Sequence, residues 1–254
     1  MEEAVNKINA LPVKPSFIIH TGDITHLSKV SEFDDAERII SQARLDVHYV
    51  PGEHDVLDED VKLYRNRYGR GTNGAGWYSF DANGVHFIGL VNVVDLKAGG
   101  LGNLGNEQLE WLEDDLKSRT SSTPVVVFAH IPLWSVYPAW GWGTEDAARA
   151  LDYLKRFGSV TVLNGHIHQI MQKVEGNVTF HTAMSKWQQI GCCGQLLRAQ
   201  TVRLWIRVIR RCDRPLDHGD RETARLKLAI VTEPTADYPT VAYTLDGQHR
   251  PART

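Results

Sequence analysis

The chain has 254 residues, of which 42% are hydrophobic and 23% charged, with a formal net charge of −3. This length suits one large α/β domain, or one domain followed by a tail. No run reaches the roughly 18 apolar residues of a membrane span, residues 1–14 lack the basic and apolar regions of a signal peptide, and the acidic balance argues against tight nucleic-acid binding.

Helical and strand patterns alternate along the first three quarters of the chain. In chain order they predict a helix over 2–11, a strand over 17–20, a helix from about Ser31 to Ala43, a strand over 47–50, a hairpin of 77–81 with 85–90, a helix over 106–117, a strand over 125–129, a helix over 145–156 capped by Thr144, a strand over 160–163, and a hairpin of 173–174 with 178–181.

This alternation predicts an α/β fold. Its hairpins, of which the one at Asn83-Gly84 has the strongest turn signal, predict that the sheets are mixed rather than purely parallel. We expect this domain to cover residues 1–187. Residues 188–254 form an arginine-rich tail of different character, with candidate strands at 202–209, 226–232 and 241–245.

Side chains that bind metals follow four of the predicted strands. They are Asp23, Glu53 with His54 and Asp55, His130, and His166 with His168. Because ligands in α/β sheets lie beyond the carboxyl ends of strands, we expect these four loops to converge. Imidazoles combined with carboxylates suit Zn, Mn or Fe. The spacing of His166 and His168 predicts that both rings point to the same side of an extended segment.

As an ordered set, these residues resemble the calcineurin-like metallophosphoesterase superfamily. The matching blocks are Gly22-Asp23, Gly52-Glu53-His54-Asp55, His130 and Gly165-His166-Ile167-His168. The resemblance spans roughly residues 1–187. It implies a sandwich of two mixed β-sheets flanked by helices, and two divalent or trivalent metal ions of Mn, Fe or Zn.

The resemblance also implies a role for each residue. Asp23 bridges the two metals, and His168 binds one of them. The other metal is bound by His130, His166 and residue 53. His54 contacts the phosphate and protonates the leaving oxygen, and Asp55 orients it. The implied reaction is attack on phosphorus by a metal-activated hydroxide.

Two departures from the family pattern stand out. Position 53 holds Glu where the family usually has Asn. The Asp-x-His block of the first family strand is missing, so we expect a chain truncated at its N-terminus with one weakened metal site. Substitute ligands are His26 and His20, or the tail residues Asp213, Asp217, His218 and Asp220. A tail strand could also fill the vacated sheet edge, in its own chain or in a homodimer.

The sequence therefore favours a phosphodiesterase of broad specificity (EC 3.1) acting on small phosphate esters. Two alternatives stay open, namely a catalytically weakened metal-binding scaffold or interaction module, and a nuclease. The aromatic segment after His130 is either a substrate wall of Trp134, Trp140 and Trp142 or ordinary loop packing. We expect a cytoplasmic location for the chain as written, and bacterial periplasmic export if its N-terminus is truncated.

Overall fold

The structure is a computed structural model that describes residues 1–58 and 61–182, and the backbone of strands at 206–209 and 228–231. The helices are α1 (Glu2–Asn9), α2 (Val30–Ile40), α3 (Lys62–Tyr68), α4 (Asn106–Lys117) and α5 (Ala147–Leu154). The strands are β1 (Phe17–His20), β2 (Asp46–Tyr49), β3 (Tyr78–Ala82), β4 (Val85–Gly89), β5 (Val125–Phe128), β6 (Val160–Asn164), β7 (Met171–Glu175), β8 (Val178–Thr182), β9 (Ile206–Ile209) and β10 (Leu228–Val231).

The largest sheet has six strands in the order β3-β4-β5-β6-β8-β7. Its four central strands run parallel, and β3 and β7 pair antiparallel at the two edges. β1 and β2 form a separate parallel pair, and β9 and β10 form an antiparallel pair. The prediction of an α/β fold with mixed sheets and flanking helices is confirmed.

The β1-β2 pair packs face to face on the six-stranded sheet, with helices outside both. Phe87 and Phe128 lie in the apolar layer between the sheets. On the opposite face of the large sheet, Leu112 of α4 and Leu154 of α5 cover the strands. α1 covers the outer side of β1 around Ile18. Because strands buried on both faces read as continuous apolar runs, β1, β5 and β6 were visible in the sequence.

The parallel pairing brings the carboxyl ends of β1, β2, β5 and β6 to one end of the sandwich. The backbone N–H of Val50 donates to the carbonyl of His20, which ties the ends of β1 and β2 together at 3.1 Å. Ala129 donates to Leu163 at 3.1 Å and Gly165 donates to His130 at 2.9 Å, which ties the ends of β5 and β6. All four candidate metal-binding motifs therefore begin at the same end of the sandwich.

Some predicted element boundaries were wrong. Thr144 does not cap a helix, because its hydroxyl donates to the carbonyl of Pro132 and accepts from the Asn92 side chain, and α5 begins only at Ala147. α2 begins at Val30, before Ser31. The short helix α3 was not predicted, since its seven residues carry too little apolar periodicity.

The predicted tail strands at 202–209 and 226–232 correspond to the shorter strands β9 and β10. β9 approaches β1 to within 8 Å between Cα atoms. The candidate strand at 241–245 and the tail residues proposed as ligands lie outside the described residues. The boundary at residue 187 and a dimer through the tail stay predictions. Within residues 1–58 and 61–182, no helix is both long and apolar enough to cross a bilayer.

Candidate metal centre

Glu53 lies at the middle of the four converging loops. Its Oε2 atom is 2.7 Å from Nε2 of His130, and its Oε1 atom is 3.1 Å from Nδ1 of His166. These three side chains bring ligand atoms within 4.8 Å of one another. A second group of the same kind consists of Asp23, Glu53 and His54. The predicted convergence of the four strand ends is therefore observed.

The donor atoms of this group fit a metal ion better than they fit each other. Nε2 of His130 and Oε2 of Glu53 are buried, and each lacks a hydrogen-bond partner despite their 2.7 Å separation. A buried polar atom without a partner costs about 1–3 kcal/mol, so such atoms call for a ligand. The mixed carboxylate and imidazole set suits Zn, Mn or Fe.

The outer nitrogen of His130 is held by the protein. Its Nδ1 atom lies 2.6 Å from the carbonyl oxygen of Thr21, which can only accept, so Nδ1 donates. In the neutral ring the lone pair is then on Nε2, which faces Glu53. Histidines that bind metals usually donate their other ring N–H in this way. This hydrogen bond joins the loop after β1 to the loop after β5, and so crosses between the two sheets.

Two glycines allow the loops after β1 and β2 to approach each other. A Cβ atom on Gly22 would lie 2.4 Å from the backbone nitrogen of Gly52, and Gly22 has φ +96°. A Cβ atom on Gly52 would lie 2.2 Å from Oδ1 of Asp23. Any side chain at either position would therefore push Asp23 and Glu53 apart.

Three candidate ligands have left-handed backbone conformations, with φ of 56° at Asp23, 66° at His166 and 53° at His168. The prediction of an extended His166-Ile167-His168 segment was wrong, because the backbone turns tightly there and Ile167 N–H donates to the carbonyl of Gly165 at 2.8 Å. Such strained conformations in non-glycine residues concentrate at functional sites.

The electrostatic field of the centre favours positive charge. Burial lowers the pKa of His130, but the Asp23 and Glu53 carboxylates outweigh burial and raise it to about 9. Burial raises the pKa of Glu53, yet His130 and His166 outweigh it and hold the pKa well below its usual range. The same carboxylates that favour the protonated imidazole attract a cation.

His54 lies at the solvent side of the centre, with 32% of its side chain exposed. Its Nε2 atom is 3.9 Å from Oε1 of Glu53. Its Nδ1 atom is 2.9 Å from the carbonyl oxygen of His26, so Nδ1 is the donor there. The inference that Asp55 orients the ring was wrong, because the ring's partner is this carbonyl.

Asp55 instead joins the loops after β1 and β2. It is fully buried and accepts hydrogen bonds from the backbone N–H groups of Ile24, Thr25 and Gly52, at 3.0, 2.7 and 2.9 Å. Burial, followed by the nearby Asp23 charge, raises its pKa to about 6, against the effect of these donors. Asp55 therefore fixes the loop geometry and does not contact the ring of His54.

The other predicted ligands lie outside both ligand groups. His168 follows His166 but belongs to neither group among the described residues. His20 is packed in β1, where its Nδ1 accepts from Gly22 N–H, and burial, with His130 nearby, lowers its pKa to about 3. His26 is exposed and stacks on the ring of His54. Neither substitute ligand, His20 or His26, joins the group around Glu53.

The tryptophans of the predicted substrate wall lie in different environments, some in the core and some at the surface. Trp134 is 8% exposed and packs edge-on against Phe180, so it belongs to the core, and its assignment to a substrate wall was wrong. Trp140 is 63% exposed and contacts Trp142 edge-on at 5.2 Å between ring centroids. Of the three predicted wall residues, Trp140 and Trp142 remain candidates for a substrate surface.

Sequence reasoning did not find Asn164, which joins the two ligand-bearing ends of β5 and β6. Its side-chain N–H groups donate to the carbonyls of Ala129 and Ile131, on either side of His130. Its Oδ1 atom is buried and has no hydrogen-bond partner. The only sequence signal was its position before Gly165-His166, which an isolated Asn-Gly turn would share.

Comparison with known proteins places this geometry in context. Residues 1–170 match the family model described as calcineurin-like phosphoesterase. The serine/threonine-protein phosphatase CPPED1 of Danio rerio is 27% identical over 191 residues, which cover 66% of this chain and 59% of that protein. CPPED1 of Bos taurus is 30% identical over 142 residues, covering 52% and 45%. The chain thus spans about half the length of these relatives.

A probable glycerophosphodiester phosphodiesterase, GpdQ of Arcobacter nitrofigilis, is 26% identical over 203 residues, covering 72% of this chain and 67% of that protein. Among solved structures, a dimetal phosphatase from Danio rerio superposes with a TM-score of 0.60 at 17% identity. The superposition covers 71% of this chain and 75% of the phosphatase. At that identity, the likeness demonstrates a shared fold and nothing about substrate.

Proposed function

Because the chain belongs to the calcineurin-like phosphoesterase family, we propose that it is a metal-dependent phosphodiesterase of broad specificity for small phosphate esters. The relatives named above include both a phosphatase and a probable phosphodiesterase. Both relatives support the coarser statement that the chain is a phosphoesterase. The diester preference is the finer part of the proposal.

The observation that carries the proposal is the arrangement of Glu53 with His130 and His166. Two buried ligand-type atoms, Nε2 of His130 and Oε2 of Glu53, lie only 2.7 Å apart there, and the outer nitrogen of His130 is fixed by a carbonyl. We propose that Glu53, His130, His166 and Asp23 hold metal, with His168 as a ligand of a second ion. Bound metal ions at such a centre neutralise phosphate charge and activate water.

Glu53 brings a negative charge where the family usually has a neutral Asn. In this proposal the carboxylate strengthens metal binding and leaves the centre less electrophilic. His54 would act as the doubly protonated imidazolium, which gives its Nε2 proton to the leaving oxygen and keeps its Nδ1 proton on the His26 carbonyl; Nε2 is the ring nitrogen nearest Glu53. Transfer of a proton to a poor leaving group typically contributes about 10²–10⁴-fold to the rate.

The test measures metal content and hydrolysis of bis(4-nitrophenyl) phosphate in one preparation supplied with Mn²⁺. We expect bound metal and turnover in the wild type, and loss of both by about 100-fold or more in Glu53→Ala, which removes the ligand atoms. Glu110→Ala, at an exposed carboxylate on α4, is the matched control and keeps both. Metal binding without any hydrolysis would support the scaffold alternative, and a protein unable to bind metal would contradict the whole proposal.

The proton-donor role of His54 is tested by comparing an aryl ester with an alkyl ester. A nitrophenolate leaves without protonation, whereas an alkoxide needs a proton. His54→Ala should therefore slow glycerophosphoethanolamine hydrolysis by about 10²-fold or more while affecting bis(4-nitrophenyl) phosphate much less. Equal losses on both substrates, or loss of metal from this variant, would contradict the role.

A further inference from the structure

Residues 25–28, which we name the His54 cradle, surround His54 on several sides. The hydroxyl of Ser28 donates to the backbone carbonyl of His54 at 2.8 Å, and the single hydroxyl proton of Thr25 is shared between that carbonyl at 3.0 Å and the Asp55 carboxylate at 2.9 Å. Ser28 reaches this position through a left-handed backbone with φ 52°. The main chain of His54 is thus fixed by two hydroxyls of one short segment.

The same segment fixes the ring of His54. The carbonyl of His26 accepts a hydrogen bond from Nδ1 at 2.9 Å. The imidazole of His26 stacks on that of His54, with ring centroids 5.2 Å apart and an interplanar angle of 25°. The carbonyl determines which nitrogen carries the proton, and the stacked ring opposes rotation of the imidazole about its Cβ–Cγ bond.

The cradle is anchored independently of the metal ligands. A carboxylate oxygen of Glu32, in the first turn of α2, accepts from the backbone N–H groups of Leu27 and Lys29 at 2.8 and 3.2 Å. The buried Asp55 accepts from both the backbone and the hydroxyl of Thr25. The His26 ring is therefore presented on a held backbone, although the side chain itself is exposed.

We propose that His26 is a positioning residue for His54, acting through its stacked ring to keep Nε2 of His54 directed at the leaving oxygen. This rests on the proposed function, in which His54 protonates the leaving group. The ring of His26 contacts His54 and lies outside both ligand groups. Its effect should therefore appear only in the step that needs the proton.

The experiment compares His26→Ala, which removes the stacked ring, with His26→Phe, which keeps a planar ring of similar size. Leu27→Ala is the matched control, because Leu27 is the next residue of the cradle and its side chain is 47% exposed. Each variant is assayed on glycerophosphoethanolamine and on bis(4-nitrophenyl) phosphate, with metal content measured in the same preparation.

We expect His26→Ala to lower kcat for the alkyl ester by about tenfold and for the aryl ester by less than about twofold, because a misplaced catalytic group loses its oriented transfer. His26→Phe should restore most of the alkyl activity, and Leu27→Ala should match the wild type. Metal content should not change in any of these variants.

A second measurement does not depend on turnover. In metal-free protein labelled with ¹⁵N-histidine, the His54 ring signals, assigned by their loss in His54→Ala, should report that the neutral ring is a single tautomer protonated at Nδ1, which is the form left after Nε2 has given up its proton. His26→Ala should shift these signals towards a mixture of tautomers, and His26→Phe should restore the single form. A structural role for His26 remote from His54 would leave them unchanged.

The outcomes separate this inference from the proposed function. If His54→Ala shows no selective loss on the alkyl ester, the proton-donor role itself fails. If His54→Ala shows that loss but His26→Ala changes neither the ratio of kcat values on the two esters nor the tautomer of His54, the positioning role is overturned. Loss of metal from His26→Ala, or equal losses on both esters, would also overturn it, by indicating that His26 contacts metal or phosphate.

Discussion

Among the described residues, two fully buried histidines lie among carboxylates, at opposite ends of parallel strands, and their surroundings differ in one respect. His86 in β4 places Nδ1 3.0 Å from Asp81 and Nε2 2.7 Å from Asp115, both within hydrogen-bond geometry. His130, after β5, has a hydrogen-bonded Nδ1 but an Nε2 with no partner, although Glu53 is 2.7 Å away.

The comparison distinguishes a structural histidine from a candidate metal ligand. Around His86 both carboxylate partners make a further contact, since Asp115 also accepts from Ser79 and Asp81 also pairs with Arg119. Such a completed network stabilises packing and leaves nothing for an ion to contact. Around His130 the unsatisfied atoms point towards one another, which costs stability unless a cation lies between them.

The largest expected difference between the two clusters is in catalysis. His130→Ala should lower hydrolysis of bis(4-nitrophenyl) phosphate by about 10³-fold, because several kcal/mol of transition-state stabilisation depart with the metal. His86→Ala should retain kcat within about threefold at a temperature where the variant is folded. Steady-state kinetics at 15 °C check both, and comparable losses would remove the distinction.

The free energy of unfolding should depend more on His86 than on His130, which is the opposite of the order expected for catalysis. His86→Ala removes a buried ring and leaves the mostly buried Asp115 carboxylate without its partner, so we expect a loss of about 3 kcal/mol in the free energy of unfolding. Urea denaturation of the metal-free protein measures it. Asp81→Asn, at a side chain that is 56% exposed, should cost much less and serves as the graded control. A His86→Ala loss below that of Asp81→Asn would contradict the structural role.

Removal of metal should distinguish the clusters by melting temperature. A ligand present at 100 times its dissociation constant stabilises by about 2.7 kcal/mol, which corresponds to roughly 5–10 °C in a domain of this size. We expect chelation to lower Tm by that amount in the wild type and in His86→Ala, and to have no effect in His130→Ala. Differential scanning fluorimetry with and without EDTA checks this, and a chelator shift that persists in His130→Ala would locate the metal elsewhere.

The smallest expected effect is on stability at acidic pH. Burial raises the pKa of Asp115, but hydrogen bonds from His86 and Ser79 outweigh it and hold the pKa below its ordinary 3.8. A depressed carboxyl pKa contributes stability that is present above the unfolded value and lost as pH falls through the folded one. Between about pH 5 and pH 3, Asp115→Asn should therefore lose less stability than the wild type. If the free energy of unfolding falls by the same amount with pH in both proteins, Asp115 does not make this contribution.

The sequence was most informative where a residue type has a single common structural role. The apolar runs of β1, β5 and β6 require burial, and each is followed by Asp or His, so the site could be placed at the strand ends. Trp134 and Trp140 looked alike in sequence, and only tertiary packing buries the first against Phe180. His86 carried no motif, since Asp81 and Asp115 reach it from separate elements.

The orientation of the site histidines could not be predicted for a related reason. Backbone carbonyls of Thr21 and His26 orient the rings of His130 and His54. Every residue has a carbonyl, so the sequence does not mark the two that matter. The expected hydrogen bond between Asp55 and the His54 ring is not formed, because the Asp55 carboxylate already accepts from three backbone N–H groups and a hydroxyl.

The hydrogen bond from His130 to the Thr21 carbonyl spans 109 positions of the chain and joins the two sheets. Contacts of such long sequence separation form late, after the entropy of closing a long loop has been overcome. A nascent or partly assembled chain thus lacks the arrangement proposed to hold an ion. On that proposal, metal uptake marks the completed packing of the two sheets.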